Sequence, residues 1–558
     1  MSRPSAPRLR FLALAAAALA ASPACRRGPG APPERFVSSR SGWALVVHDL
    51  RRASSELGAL HETAATFPGA GALRQSRGAL TSQLGFDPLD PEALADAGID
   101  PARGLAIGIE PAPGSPDGSP GAPVLVLPVR DAAALERTVA RLARERLGSA
   151  EQTASSGEGL RVVTFRAAGS AQGRLALALR AHDRVAAISP GPAAEEVVRA
   201  ALARPAAESL AEAPTWRDLR AALGDRYAVT FALLRSPGLA GWTFSAPLGH
   251  GVERDLAIGL SAEGGTLRAA IAIPFGADAA ALRALKAAGD SKAAVRALSP
   301  DAPLVLRWDG DPSALGRLVV PRVPEHERRR LAERGVDLQR DLFDVLAPGF
   351  AVSVSISPRI DLRELSAAEV AVDPLRVIAF ELAGDVRDEA RAAAALARLP
   401  ALFAAPERAE VEPGPAGAAG RAGRIGTTTG ELAWRLDGKR LRMTGGAPGA
   451  LDELAARTGP GWSAPSEASG AALQGGLGGA VLAPRALAAA VRRLPAEAYG
   501  DGPAGFIFEA VVDSYTATLR RLQAVSARAE LGAAALVVTV EVEAAPPAKK
   551  EGKKEEAP

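Results

Sequence analysis

Cysteine is almost absent: Cys25 is the single one in 558 residues. No disulfide within the chain can therefore staple the fold, and no dithiol redox centre or cysteine-rich metal site is available. Aromatic residues are scarce at 4%, so the core must be built from Ala, Leu and Val. The five histidines (His48, His61, His182, His250 and His326) are widely separated. They form no His-x-x-x-His pair and no zinc box with Glu, which leaves a catalytic metal without support. A dominant charge is missing too, since 66 basic and 63 acidic residues are interspersed and leave a net +3. A nucleic-acid binder would show a basic stripe or a stacking motif, and the chain has neither. Serine acyl chemistry and phosphate cradling also lose their usual supports. There is no Gly-x-Ser-x-Gly elbow, no Ser-x-x-Lys pair and no Gly-Lys-Ser/Thr loop.

What is present begins at the N-terminus. Arg3, Arg8 and Arg10 precede an apolar run from Phe11 to Ala21, and Ser22, Pro23, Ala24 and Cys25 close it. A positive start, a short apolar core and small residues at the exit make a secretory signal. The run is too short for a membrane-crossing helix, which needs roughly 20 apolar residues. The segment resembles a bacterial lipoprotein signal, in which the cysteine after the cut becomes the lipidated first residue. Ser22 stands where that family usually has Leu, and Ser22 with Ala24 also suits ordinary cleavage, which would leave a soluble periplasmic protein. The resemblance implies a signal peptide over 1–24, lipidation at Cys25, and a flexible tether over 25–40. Arg26 follows the cysteine in place of the Asp that retains such proteins at the inner membrane. The resemblance therefore implies the periplasmic face of the outer membrane.

Downstream, hydrophobic residues make up 47% and charged residues 23%, as in ordinary globular proteins. The same elements recur twice in the same order. Apolar strands open each half at Ala44 and Pro303. Gly85-Phe86-Asp87 matches Gly335-Val336-Asp337, and alternating strands follow at Gly104 and Gly349. Strands from Val124 and Val377 lead into helices around Leu135, Val139 and Leu142 and around Ala393, Leu396 and Leu399. Hairpins then turn at His182-Asp183 and at Asp437-Gly438, each followed by a helix (194–202 and 450–457). Closing hairpins span 256–273 and 525–542. This order predicts an α+β fold of two tandem homologous domains, 41–295 and 300–545, each a mostly antiparallel sheet with helices on one face. The tail 546–558 mixes Lys549, Lys550, Lys553 and Lys554 with Glu551, Glu555 and Glu556 and lacks apolar anchors, which predicts a disordered end.

Candidate chemistry is sparse. His182-Asp183 has the composition of a base and its orienting carboxylate, but its place in a hairpin favours solvated turn residues. Asp309-Gly310-Asp311 lacks the further ligands that calcium needs. Arg328, Arg329 and Arg330, with Glu325, Glu327 and Glu333, read as a salt-bridged helix face. The glycines at 475, 476, 478 and 479 lack the spacing of a nucleotide fingerprint. Those at 414, 417, 420, 423 and 426 read as a flexible hairpin loop. Trp43, Trp216, Trp242, Trp308, Trp434 and Trp462 are scattered, and core packing is the expectation for most of them. No catalytic, cofactor-binding or metal-ligating residue emerges, and Cys25 is the one candidate site, for lipid.

The signal with Cys25, the Gly85-Phe86-Asp87 and Gly98-Ile99-Asp100-Pro101 stretches, and the strand–helix–hairpin order together resemble the internally duplicated lipoproteins of Gram-negative bacteria, a family of unknown function. That resemblance implies location and architecture. The expected role is non-enzymatic binding or scaffolding by a protein held to the membrane through its N-terminal lipid, with an envelope protein or a lipid as partner. Carriage of lipid or lipoprotein through the periplasm is the alternative, and an unrecognised hydrolase comes third. No cofactor is expected.

Overall fold

The computed structural model describes residues 31–65, 71–110, 121–148, 150–168, 173–234, 255–275, 279–357, 360, 377–399, 410–412, 421–426, 430–447, 449–457, 460–494, 498 and 502–545. The fold is α+β, dominated by antiparallel pairing. Its described residues fall into two compact units, one built of 31–46 and 95–213, the other of 47–94 and 214–545.

In the first unit, β2 (Leu105–Glu110), β3 (Ala122–Pro128), β4 (Ala150–Gly157), β5 (Leu160–Ala167), β6 (Arg174–Arg180) and β7 (Val185–Pro190) form an antiparallel sheet. Its order is β2-β3-β7-β6-β5-β4. β1 (Trp43–Val47), whose last residue belongs to the second unit, pairs with β2. Strict alternation in β2 buries Ala106 and Glu110 on one side, which is the half-buried strand that its sequence predicts. The helix Ala132–Leu147 starts where the Asp131 carboxylate accepts from the backbone N–H groups of Ala133 and Ala134, and it buries Leu135, Val139 and Ala143 at helical spacing. The helix Ala194–Ala203 buries Val197, Val198, Ala201 and Leu202 and packs on β6 and β7.

In the second unit, the strands are β8 (Val229–Leu233), β9 (Leu256–Glu263), β10 (Thr266–Pro274), β11 (Leu304–Trp308), β12 (Phe350–Ile356) and β13 (Ile378–Asp385). They continue as β14 (Glu410–Glu412), β15 (Ala422–Gly426), β16 (Glu431–Asp437), β17 (Arg440–Gly446), β18 (Gly478–Leu482), β19 (Leu522–Leu531) and β20 (Ala535–Ala544). Their order is β8-β9-β10-β20-β19-β18-β11-β12-β13-β17-β16-β15-β14, antiparallel at every step. The pairing β12-β13-β17-β16-β15-β14 repeats, ten strands on, the order found in the first unit. Likewise β8-β9-β10 is matched by β18-β19-β20, and β10 pairs with β20 from Thr266–Glu543 to Pro274–Ala535.

The turns follow local chemistry. Gly264 and Gly265, at φ of 58° and 80°, close the β9–β10 hairpin, and Gly438 at φ 59° closes β16–β17. Gly423 and Gly426 lie in strand β15, not in a flexible loop. The Trp434 indole of β16 packs over Gly423, where any Cβ would clash with the ring, so glycine here makes room for an aromatic. Glycines 414, 417 and 420 lie outside the described residues.

Candidate functional site

Cys25, His250, Trp242 and the charged tail lie outside the described residues. Among the described residues no group of three or more His, Asp or Glu side chains is placed to hold a metal ion. His48 is the one described histidine with a distinctive environment. It follows β1, and its Nε2 lies 3.0 Å from the Oγ1 of Thr230 on β8, itself 3% exposed. Burial, then the nearby positive charge of Arg220, pushes the imidazole down to about 4, so it is neutral at physiological pH. Thr230 is its polar partner, and the arrangement is that of a satisfied interior histidine. His182 is exposed in the β6–β7 turn, and Asp183 bridges Arg180 at 3.0 Å, which fits turn residues. His326 is an exposed helix residue 3.5 Å from Glu327, and His61 lies on the helix Leu50–Ala65.

The other marked residues resolve into packing and capping. Asp309 is buried against Arg307 and accepts from the Ser291 N–H at 2.8 Å. Asp311 caps the helix Pro312–Val319, accepting from the Ser313 N–H at 3.0 Å, and pairs with Arg387. Both carboxylates are thus occupied by arginine and backbone donors. Gly478 and Gly479 begin β18, where a Cβ on Gly478 would press on the Trp308 ring. Trp216, Trp434 and Trp462 are buried, as expected of core tryptophans, and the Trp462 Nε1–H donates to the Ala302 carbonyl at 3.0 Å. Arg329 bridges Glu325 at 2.7 Å and Arg330 bridges Glu327 at 3.0 Å, which is the salt-bridged face that the sequence predicts.

Two of the hollows formed by described residues lie in the second unit. A cavity of about 370 Å³ is lined by Ser299, Asp301, Ser353, Ser355, Glu381 and Arg493 over the apolar floor of Ile356 and Phe380. Glu381 already accepts from the Ser299 N–H at 2.6 Å and from Arg457 at 2.9 Å. A broader hollow of about 700 Å³ sets Arg328, Arg340 and Arg398 around Leu331, Val336 and Leu338. Asp341 accepts from Arg340 and Arg398 at 2.8 Å each, and the Arg340 hydrogen bond leads in holding its carboxyl down at about 2. Neither hollow has a histidine in its lining.

The most unusual surface is the helix Gly502–Leu519. Phe506, Ile507, Val511 and Tyr515 are 74, 65, 45 and 69% exposed. Ile507, Val511 and Tyr515 recur at four-residue spacing and so form one stripe about 12 Å long. At about 100° per residue, Glu509 and Asp513 lie on the opposite side of the helix from that stripe. Such large side chains normally find a partner. The sequence carries a signal for this helix, because Glu509 and Asp513 are its only charged residues between 502 and 519. A run of that kind reads as a buried helix, however, and its exposure is visible only once the fold is built. Among the described residues no helix is long and apolar enough to cross a membrane.

No family model matches the chain, and no curated protein matches it. Among solved structures it is similar to crystal form III of TP0453, at 10% identity and a TM-score of 0.26, with 45% of this chain and 82% of that one covered.

Proposed function

We propose that this chain is a lipid-anchored cell-envelope protein, acylated at Cys25, with a non-enzymatic binding or scaffolding role. The observation that carries the reading is the outward apolar stripe of Ile507, Val511 and Tyr515, a surface built to be covered. Its body consists of two homologous α+β halves, 41–295 and 300–545. The support for this duplication is the strand-pairing order, which recurs with every strand advanced by ten. The N-terminal signal supports export, and Arg26 after the acylated cysteine favours the periplasmic face of the outer membrane. A lipid carrier would need a continuous apolar cavity. The smaller hollow sets Asp301, Glu381 and Arg493 among Pro303, Ile356, Phe380 and Leu494, an amphipathic lining and not a continuous apolar one.

The test is metabolic labelling with palmitate together with membrane fractionation. The wild-type chain is expected to incorporate label and sediment with outer membranes, whereas Cys25→Ser takes up no label. Unlabelled wild-type protein would refute the acyl anchor. In-cell crosslinking from the 502–519 helix should capture a discrete envelope partner or lipid, and the absence of any product would refute the binding role.

A further inference from the structure

We infer that the exposed face of the helix Gly502–Leu519 docks on an anionic phospholipid surface, lying in the headgroup region without crossing it. This deepens the reading of a membrane-tethered protein and rests on it for the nearness of a bilayer. Ile507, Val511 and Tyr515 project from one exposed face of the helix, while the Glu509 and Asp513 carboxylates, and the Phe506 ring beside Asp513, lie away from that stripe. The stripe can therefore sink to the acyl boundary while both carboxylates stay in water. Tyr515 carries its hydroxyl on an apolar ring, as side chains at that depth do.

Charge favours the same surface. Arg520 and Arg521 directly follow the helix and are exposed. The helix Pro484–Arg492 packs against it and ends at exposed Arg492 and Arg493. The final strand returns the chain to this end, because the Ala545 N–H donates to the Arg521 carbonyl at 2.7 Å. Arginine pairs thus accompany the helix, and basic groups beside an apolar face are what an anionic lipid surface attracts. A second copy of this chain would bring like charges together with like.

The scarcity of cysteine makes the test direct. In a Cys25→Ser background, Ile507→Cys, Val511→Cys, Tyr515→Cys, Glu509→Cys and Asp513→Cys each offer a single site for a nitroxide label. All five positions are exposed, so the folded state should survive, and circular dichroism checks it. With phosphatidylglycerol–phosphatidylethanolamine vesicles, labels at 507, 511 and 515 should gain access to dissolved oxygen and lose access to an aqueous nickel chelate. Labels at 509 and 513 should stay in water. Exchanging Arg520 and Arg521 for Gln should weaken vesicle binding about fivefold each at low salt. Equal accessibility at 507 and 509 would overturn the inference. So would shielding of 507 that appears without vesicles and grows with protein concentration, which would make a second copy the occupant. Since every variant lacks the acyl-carrying thiol, failure here leaves the palmitate labelling of Cys25 untouched, and the two ideas fail separately.

Discussion

Replacing His48 with Gln should make the stability of the second unit less sensitive to acid. In the folded chain, burial holds the imidazole at about 4, against 6.5 in the unfolded chain. The native state therefore excludes a proton that the unfolded state accepts, and stability falls as pH drops below the unfolded value. That loss amounts to about 2 kcal/mol by pH 5 and roughly 3 kcal/mol by pH 4, where protonation of the native state begins to halt it. Gln keeps an amide N–H near the Thr230 hydroxyl but cannot titrate. Urea unfolding of both proteins at pH 7, 6, 5 and 4 checks the idea, because carboxylate effects common to both cancel in the difference. The wild-type advantage should shrink by about 2 kcal/mol between pH 7 and pH 5. A difference that stays constant across that range would refute the burial argument, whatever its size at neutral pH.

Glu110→Gln should destabilise the first unit by about 3–5 kcal/mol, since it leaves the buried Arg204 guanidinium without its carboxylate. Replacing both by Met and Leu should recover most of that loss, which denaturant melts of the single and double variants would reveal. Gly98→Ala should cost about 2–4 kcal/mol, because φ is +90° there and a Cβ would meet the Leu135 and Asp131 backbone. A shift in thermal midpoint measures it, and Ala at the open, exposed Gly78 of the helix Gly71–Leu84 should instead raise the midpoint slightly, by up to about 1 kcal/mol of stability. Asp311→Ala should cost about 1 kcal/mol through the lost helix cap, and added calcium should alter neither protein's melting temperature.

Much of the element order could be read along the chain because its signals are local. The Gly264-Gly265 and Asp437-Gly438 turns, the alternation in β2, and the Leu135–Val139 spacing each depend on a few neighbouring residues. Side-chain roles were harder to read. His48 and Thr230 are 182 positions apart, and Glu110 and Arg204 are 94 apart, so nothing local announces either pair. The glycine-rich run at 422–426 reads as loop by composition. It is a strand because Trp434 needs the space above Gly423, and that need appears only when β15 and β16 pair.

Periodicity and turn chemistry, carried by short stretches of chain, were enough for the sequence alone to determine the α+β class and several of its strands, helices and hairpins. The tertiary structure decided which apolar residues were left without a cover. Phe506, Ile507, Val511 and Tyr515 have the composition of core residues, and no local property of their segment separates them from the buried Leu477 and Val481. Burial is a property of what the rest of the chain places against a side chain, so an exposed apolar face becomes visible only after every other element has found its place.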